Sequence, residues 1–371
     1  MTVVEAVVLT TPADAARPVA GVPYLLRTLL CLRRAGMERC RVVGAAEPLA
    51  DARLRGAVSF APAAALPDDG VPRLVVGPGA VVDTALVAAL RERARAGVLP
   101  IDVARGRARV RVAAGADATR FAPIAAPPPA GTLRHVDDPP AQLETALLRT
   151  LENPRDGYLD GLVHRHVSRP LTRRLLTTGL APNAVTALGI ALGTAGGLAL
   201  GLPWPLGAVL AVALLFCSGV LDCCDGELAR IRFAESRLGH VLDVTGDTLV
   251  HGAVFTGIAL TLARTGSLPD RATLLALATG VLGAFAAITW SEVTEARRHR
   301  VPCWENRVLD GVLSPLTTRD WYVFPLLFAL CGRLDVMVAA AAVGAQAFWP
   351  IVVILVARVL RRARVGAAAP A

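Results

Sequence analysis

Hydrophobic positions follow two different rules along the chain. Up to about residue 130 they come in short runs broken by polar, Gly or Pro positions; from about 184 to 360 they come in runs long enough to cross a bilayer. In the first part, Val3–Leu9, Cys40–Val43 and Leu74–Val76 read as strands. Residues 22–36 (ending at Gly36) and 82–96 read as helices. Strand and helix in alternation predict an α/β domain with parallel pairing. The Ala-Pro-rich runs at 61–67 and 121–130 read as loops or linkers, and 141–152 as a helix leading onward.

The second part predicts an all-α integral membrane domain with six transmembrane helices, at about 184–202, 204–221 (continuing as helix to Arg230), 240–262, 272–290, 320–332 and 336–358. The fifth is short. Alternate connections are rich in arginine: Arg230, Arg232 and Arg237, then Arg297, Arg298, Arg300, Arg307 and Arg319, then the tail from Arg358. Positive charge stays on the cytoplasmic side, so both termini and the N-terminal domain are expected there, in an inner or plasma membrane. Trp204, Trp290 and Trp321 fall near segment ends, as interfacial aromatics do. Residues 159–180, with arginines among Leu and Val, predict an amphipathic segment on the inner membrane surface. The expected domains are 1–130, a linker and interfacial segment at 131–180, the membrane domain at 181–360 and a flexible tail at 361–371.

Composition sharpens this picture. The chain is 54% hydrophobic and 19% charged, with a mean hydropathy of +0.52. The net charge of +9 invites a nucleic-acid reading, but the arginines sit beside apolar segments and fit a membrane edge instead. Seven cysteines, an odd number, form no disulfide framework, and the adjacent Cys223 and Cys224 make a poor zinc site and read as helix-packing residues. Met1–Thr10 has no basic region and is interrupted by Glu5, so no leader is expected.

The chemistry concentrates between 222 and 247. Asp222 and Asp225 are three apart, with Gly226, Ala229 and Arg230 following; Asp243 and Asp247 are four apart on the next helix, after Gly239. Helical phase puts each pair on one face. Four carboxylates at the mouth of membrane helices repel one another, and divalent cations resolve that cost. Hard oxygen ligands suit Mg²⁺ or Mn²⁺, and two ions can polarise a phosphoryl group. Pairing with the nearby arginines is the structural alternative.

Asp222, Asp225, Gly226, Ala229, Arg230, Gly239, Asp243 and Asp247 match without departure the signature of the CDP-alcohol phosphatidyltransferase family, and Pro182, Asn183 and Thr186 also resemble it. The resemblance covers roughly residues 155–360. It implies attack of an acceptor hydroxyl on a CDP-alcohol with release of CMP. It implies metal ligation by Asp222, Asp225, Asp243 and Asp247, with Asp247 as general base beside Asp243. Gly226, Ala229, Gly239, Arg230 and Thr186 would receive the cytidine nucleotide. It further implies a homodimer; membrane lipid around the helices and no nucleic-acid partner are expected from the apolar runs and the arginines beside them. The basic residues at 297–319 are candidates for holding a phosphate on an acceptor such as inositol phosphate, against the alternative of a positive-inside loop. His251, four beyond Asp247, is a candidate supporting partner; His240 flanks the same pair.

The opening resembles a nucleotidyltransferase of the sugar-nucleotide or inositol-phosphate cytidylyltransferase type through Arg17, Pro18, Gly21, Pro23 and the helix from Tyr24. The Gly-rich loop of that type is replaced by Thr10–Ala15; Gly77, Pro78 and Gly79 occupy the place of its metal-binding aspartate, for which Asp83 is a candidate substitute. The expectation is a degenerate, inactive domain in a chain resembling the fused inositol-1-phosphate cytidylyltransferase and di-myo-inositol phosphate phosphate synthases. Two alternatives are an enzyme that also makes CDP-inositol, and a membrane transporter; the missing loop opposes the first, and the clustering of all four acids at one end opposes the second.

Overall fold

The computed structural model describes residues 5–44, 51–54, 58–61, 71–97, 99–114, 131–151, 163–299, 303–313 and 322–368. The chain divides into two units. The first comprises Met1–Glu152, Thr172–Gly179 and Glu227–Ala234; the second comprises Asn153–Leu171, Leu180–Gly226 and Glu235–Ala371.

The first unit is built on a six-stranded sheet. Its strands are β1 (Glu5–Leu9), β4 (Arg39–Val43), β5 (Val58–Ala61), β6 (Pro72–Val76), β8 (Ile101–Arg105) and β9 (Ala108–Ala114), in the order β5-β4-β1-β6-β9-β8. The first four are parallel; β9 runs antiparallel to β6, and β8 to β9. Central strands with both faces covered read as continuous apolar runs, and Ala6, Val7, Val8, Leu74, Val75 and Val76 are fully buried. Two small ribbons, β2 (Pro18–Val19) with β3 (Val22–Pro23) and β7 (Ala80–Val82) with β10 (Leu133–His135), complete the strands.

The helices of this unit are α1 (Pro12–Ala16), α2 (Tyr24–Arg34), α3 (Thr84–Arg95) and α4 (Pro140–Arg149). The expected helix stop at Gly36 is a left-handed residue, φ +79°. Where a Gly-rich loop would follow β1, the chain instead forms α1, capped by Thr11, whose hydroxyl accepts a bond from Asp14 N at 3.2 Å. Glu5, at the start of β1, is gripped by Arg41 and Arg73, each at 2.9 Å. Burial raises its carboxyl pKa, but the two arginine hydrogen bonds outweigh burial and hold it below the ordinary glutamate value. Of the runs expected as loops at 61–67 and 121–130, Ala61 instead ends β5 and the rest lie outside the described residues.

The second unit is helical. α5 (Arg165–Leu176) begins in it, passes through Pro170 without a break and ends in the first unit. Then follow α6 (Pro182–Ala199), α7 (Leu206–Arg232), α8 (Arg237–Thr265), α9 (Arg271–Val293), α10 (Glu295–Arg298), α11 (Trp304–Val308), α12 (Val323–Leu330) and α13 (Leu334–Ala368). The expectation of six transmembrane helices is corrected. Among the described residues four helices are long and apolar enough to cross a membrane: Leu206–Arg232, Arg237–Thr265, Arg271–Val293 and Leu334–Ala363. They make this a multi-pass integral membrane protein. The first expected span, α6, is diluted by Pro182, Asn183, two threonines and four glycines. The fifth contracts to α12, whose eight residues extend only about 12 Å.

Glycines explain how α6 sits against its neighbours. A Cβ on Gly257 would lie 2.1 Å from Gly197 O, and one on Gly197 would lie 2.6 Å from Val254 N. The backbones of α6 and α8 therefore approach closely, as small residues permit in membrane helices. Gly189 and Gly196 do the same toward Leu221, Leu214 and Leu215 of α7. With α6 packed on both, the acidic stretches of α7 and α8 meet.

Candidate metal and transfer site

α7 stays helical through Asp222 and Asp225, past the end of its apolar run, because Leu228 and Ile231 keep burying its later turns. α8 starts at a capped end: Ser236 Oγ accepts from Gly239 N at 3.0 Å. That fixes the phase of Asp243 and Asp247, two and three turns later. A Cβ on Gly239 would lie 3.0 Å from Asn183 Oδ1, so the glycine stands close to the start of α6.

The carboxylates of Asp222, Asp243 and Asp247 converge, with one oxygen of each lying within 4.8 Å of the others. They line a small hollow with Thr186, Gly189, Ile190, Ser218, Asp225, Gly246 and Val250, with a volume near 20 Å³. That is room for an ion or a water. Three hard, anionic oxygen donors within reach of one point suit a divalent cation of the magnesium or manganese class. Asp225 is buried and lines the hollow, but it is not in the group of three.

Of the residues expected at the site, Thr186, Asp222, Asp225, Asp243 and Asp247 line this hollow, and Gly226, Ala229, Arg230 and Gly239 do not. Ser218 went unnoticed in the sequence. It lies one helical turn before Asp222, so the phase that grouped the carboxylates also points to it; its hydroxyl donates to Gly189 O at 2.8 Å.

A second, larger cavity of about 270 Å³ shares Ser218, Asp247 and Val250 with the first. Its wall is mostly apolar, with Phe216, Leu215, Leu326 and Leu330, and His164 and Tyr322 as its polar members beyond the shared ones. His251 Nδ1 lies 2.5 Å from the main-chain oxygen of Asp247, one turn back in α8, and its ring stands 5.4 Å from that of Tyr322. His240 is exposed and does not line either cavity.

The basic loop has a structural occupation. Arg298 is 3% exposed. It donates to Ser291 O at 3.1 Å and to Asn306 Oδ1 at 3.0 Å, and pairs with Asp310 at 3.3 Å. It thereby ties α9 to α11. Arg297 and Arg307 are exposed, while Arg300, Arg319 and Trp321 lie outside the described residues.

The sequence profile described as CDP-alcohol phosphatidyltransferase matches residues 179–343. The chain is 39% identical over 102 residues to the phosphatidylinositol phosphate synthase of Mycobacterium tuberculosis (strain ATCC 25618 / H37Rv), covering 27% of this chain and 46% of that protein. It is 31% identical over 125 residues to the bifunctional IPC transferase and DIPP synthase of Thermococcus kodakarensis, covering 33% of this chain and 28% of that one. The match therefore spans less than half the length of either relative. Among solved structures, the Mycobacterium tuberculosis phosphatidylinositol phosphate synthase with manganese and citrate aligns with a TM-score of 0.30 and 23% identity, over 50% of this chain and 88% of that one.

Proposed function

We propose that the chain is a metal-dependent transferase that moves a substituted phosphate from a CDP-alcohol to an acceptor hydroxyl, a reading supported by the match of residues 179–343 to the CDP-alcohol phosphatidyltransferase family. The observation that carries this reading is the convergence of Asp222, Asp243 and Asp247 from two helices onto one hollow. In the reaction, the acceptor oxygen forms a bond to the phosphorus bearing the donor's alcohol. The bond from that phosphorus to the bridging oxygen breaks, and CMP leaves with the bonding pair. Asp247, which lines both cavities, takes the hydroxyl proton. Asp222, Asp225, Asp243 and Asp247 would hold two divalent ions, Mg²⁺ or Mn²⁺, which when bound neutralise the pyrophosphate and the departing phosphate. Thr186 at the hollow's edge, with Gly226, Ala229, Gly239 and Arg230 of the signature, would receive the nucleotide; small side chains there leave it room.

The apolar cavity at Asp247 suits a substrate with an acyl chain, since such walls exclude water and reward apolar surface. The names of the mycobacterial relatives add an inositol phosphate as the first acceptor to try. Arginine-rich connections favour a cytoplasmic site and N-terminal unit. The first unit reads as a cytidylyltransferase-type domain that no longer turns over CTP, because α1 fills the place of the phosphate-binding loop. A homodimer is part of the same reading by family resemblance alone.

The test is CMP release by the purified chain in detergent with Mg²⁺ or Mn²⁺, offering CDP-diacylglycerol and CDP-inositol separately with inositol phosphate and a panel of other alcohols. Release tied to one donor–acceptor pair and absent in Asp247→Asn supports the proposal. Folded, metal-bound protein that releases CMP from neither donor contradicts it.

A further inference from the structure

α7 carries Asp222 and Asp225, and its last turn, from Glu227, belongs to the first unit. The end of this helix is built in an unusual way. Phe233 sits at the left-handed position just past the helix, φ +54°, where glycine is the common choice because a side chain there costs energy. The hydrogen bonds are those of a Schellman turn: Ala234 N donates to Ala229 O at 2.8 Å, and Phe233 N to Arg230 O at 3.4 Å.

The carbonyls this turn leaves over are met by arginines of the N-terminal segment. Arg27 Nη2 donates to Ile231 O at 2.5 Å, while its Nε donates to Val19 O at 3.1 Å. Arg53 donates to Phe233 O at 3.0 Å and is itself held by Asp51 at 2.7 Å. The Phe233 ring, 7% exposed, lies beneath Arg34 at 4.3 Å and Arg27 at 5.3 Å. Arg27 is 2% exposed. Burial lowers its guanidinium pKa to about 10, which leaves it cationic at neutral pH. Cations at a helix C-terminus complement its dipole. Arg232 repeats the device on α5, donating to Leu175 O at 3.0 Å and Thr178 O at 2.9 Å. Beside it, Thr172 donates to the buried Glu227 at 2.6 Å.

We propose that Arg27 and Arg53 are positioning residues for the transfer reaction, and that holding the C-terminal end of α7 is a retained task of the N-terminal unit. The proposal rests on reading α7 as a helix of the transfer site. Asp222 lies about 15 Å up the helix from Arg232 at 1.5 Å per residue, and a slip of one residue turns a side chain by about 100° around the axis. A helix end that frays or slips therefore withdraws Asp222 from Asp243 and Asp247, while a capped end fixes both its length and its phase. The strained Phe233 and the buried Arg27 give this end a single register.

The experiment uses the full chain in detergent and compares wild type, Arg27→Met and Arg53→Ala. Amide hydrogen exchange is read at residues 228–232 and at the β1 and β6 strands, and Mn²⁺ affinity is read by electron paramagnetic resonance. The proposal expects exchange at 228–232 to rise at least about tenfold in Arg27→Met and a few-fold in Arg53→Ala, the scale of losing a hydrogen bond to a charged group. Strand protection stays intact and Mn²⁺ affinity falls at least about threefold, because the ligand pair on α7 loses its register. If Arg27→Met also exposes the strands, Arg53→Ala, which removes a surface side chain, decides alone. Unchanged exchange at 228–232, or faster exchange with unchanged Mn²⁺ affinity, overturns the proposal. A wild-type chain that binds Mn²⁺ but releases no CMP from any donor counts against the transferase reading and leaves this test standing.

Discussion

Two regions of the molecule use aspartate in opposite ways. Asp83, just after β7, is buried, and both of its oxygens are committed to main-chain donors: Leu86 N at 2.8 Å and Thr132 N at 2.7 Å. It caps α3 and fastens the strand that follows Gly131. Burial raises its carboxyl pKa, and the backbone N–H groups only partly offset that. Asp222, Asp243 and Asp247 instead turn toward one another from α7 and α8. Like charges brought together need a cation to be stable, whereas a carboxylate wrapped in backbone N–H groups does not. The sequence offered Asp83 as a stand-in metal ligand, and the structure gives it a capping role. Arrangement, not residue type, separates a ligand from a cap.

The comparison breaks first if the site aspartates prove dispensable. Asp247→Asn should lower CMP release by roughly 10³-fold or more, the scale of losing a general base together with a charged ligand; a steady-state assay at saturating donor reads it. The next largest effect concerns the packing that brings the two helices together. Gly257→Leu places a side chain against the α6 backbone, where even a Cβ has no room. It should cost about 1–3 kcal/mol of stability and weaken Mn²⁺ binding, checked by thermal unfolding and by titration.

Asp83→Ala sharpens the contrast from the other side. Loss of the cap and of the Thr132 bond should cost about 2 kcal/mol, seen as a lower Tm, while CMP release below the transition keeps its rate. The smallest effect is a pH dependence. The folded carboxyl of Glu5 titrates below its unfolded value, so its contribution is fully present above the ordinary glutamate pKa of 4.5. That contribution fades as pH falls through the lower folded value. Glu5→Gln should lower Tm by a few degrees at pH 7 and flatten the acid limb of the Tm–pH curve.

What could be read from sequence followed from periodicity. Helical phase grouped Asp222 with Asp225 and Asp243 with Asp247, and Gly36 marked a real helix end. The apolar cores of β1 and β6 were visible because buried parallel strands are plain runs. The alternating Arg and Val of β9 was missed because its polar members break the apolar run, although its hairpin partner β8 directly precedes it. Hydropathy alone overcounted the membrane crossings. It credited α6, whose glycines serve helix contact, and the fifth segment, of which α12 supplies eight described helical residues. The arginine caps at the end of α7 were out of reach, since Arg27 and Ile231 are brought together only by the fold.

The most direct test of the central claim is Mn²⁺ binding to the full chain by electron paramagnetic resonance, comparing wild type, the triple variant Asp222→Asn/Asp243→Asn/Asp247→Asn, and Asp83→Ala. The account predicts bound Mn²⁺ in wild type and in Asp83→Ala, and none in the triple variant. Mn²⁺ retained by the triple variant, or lost with Asp83, would contradict it.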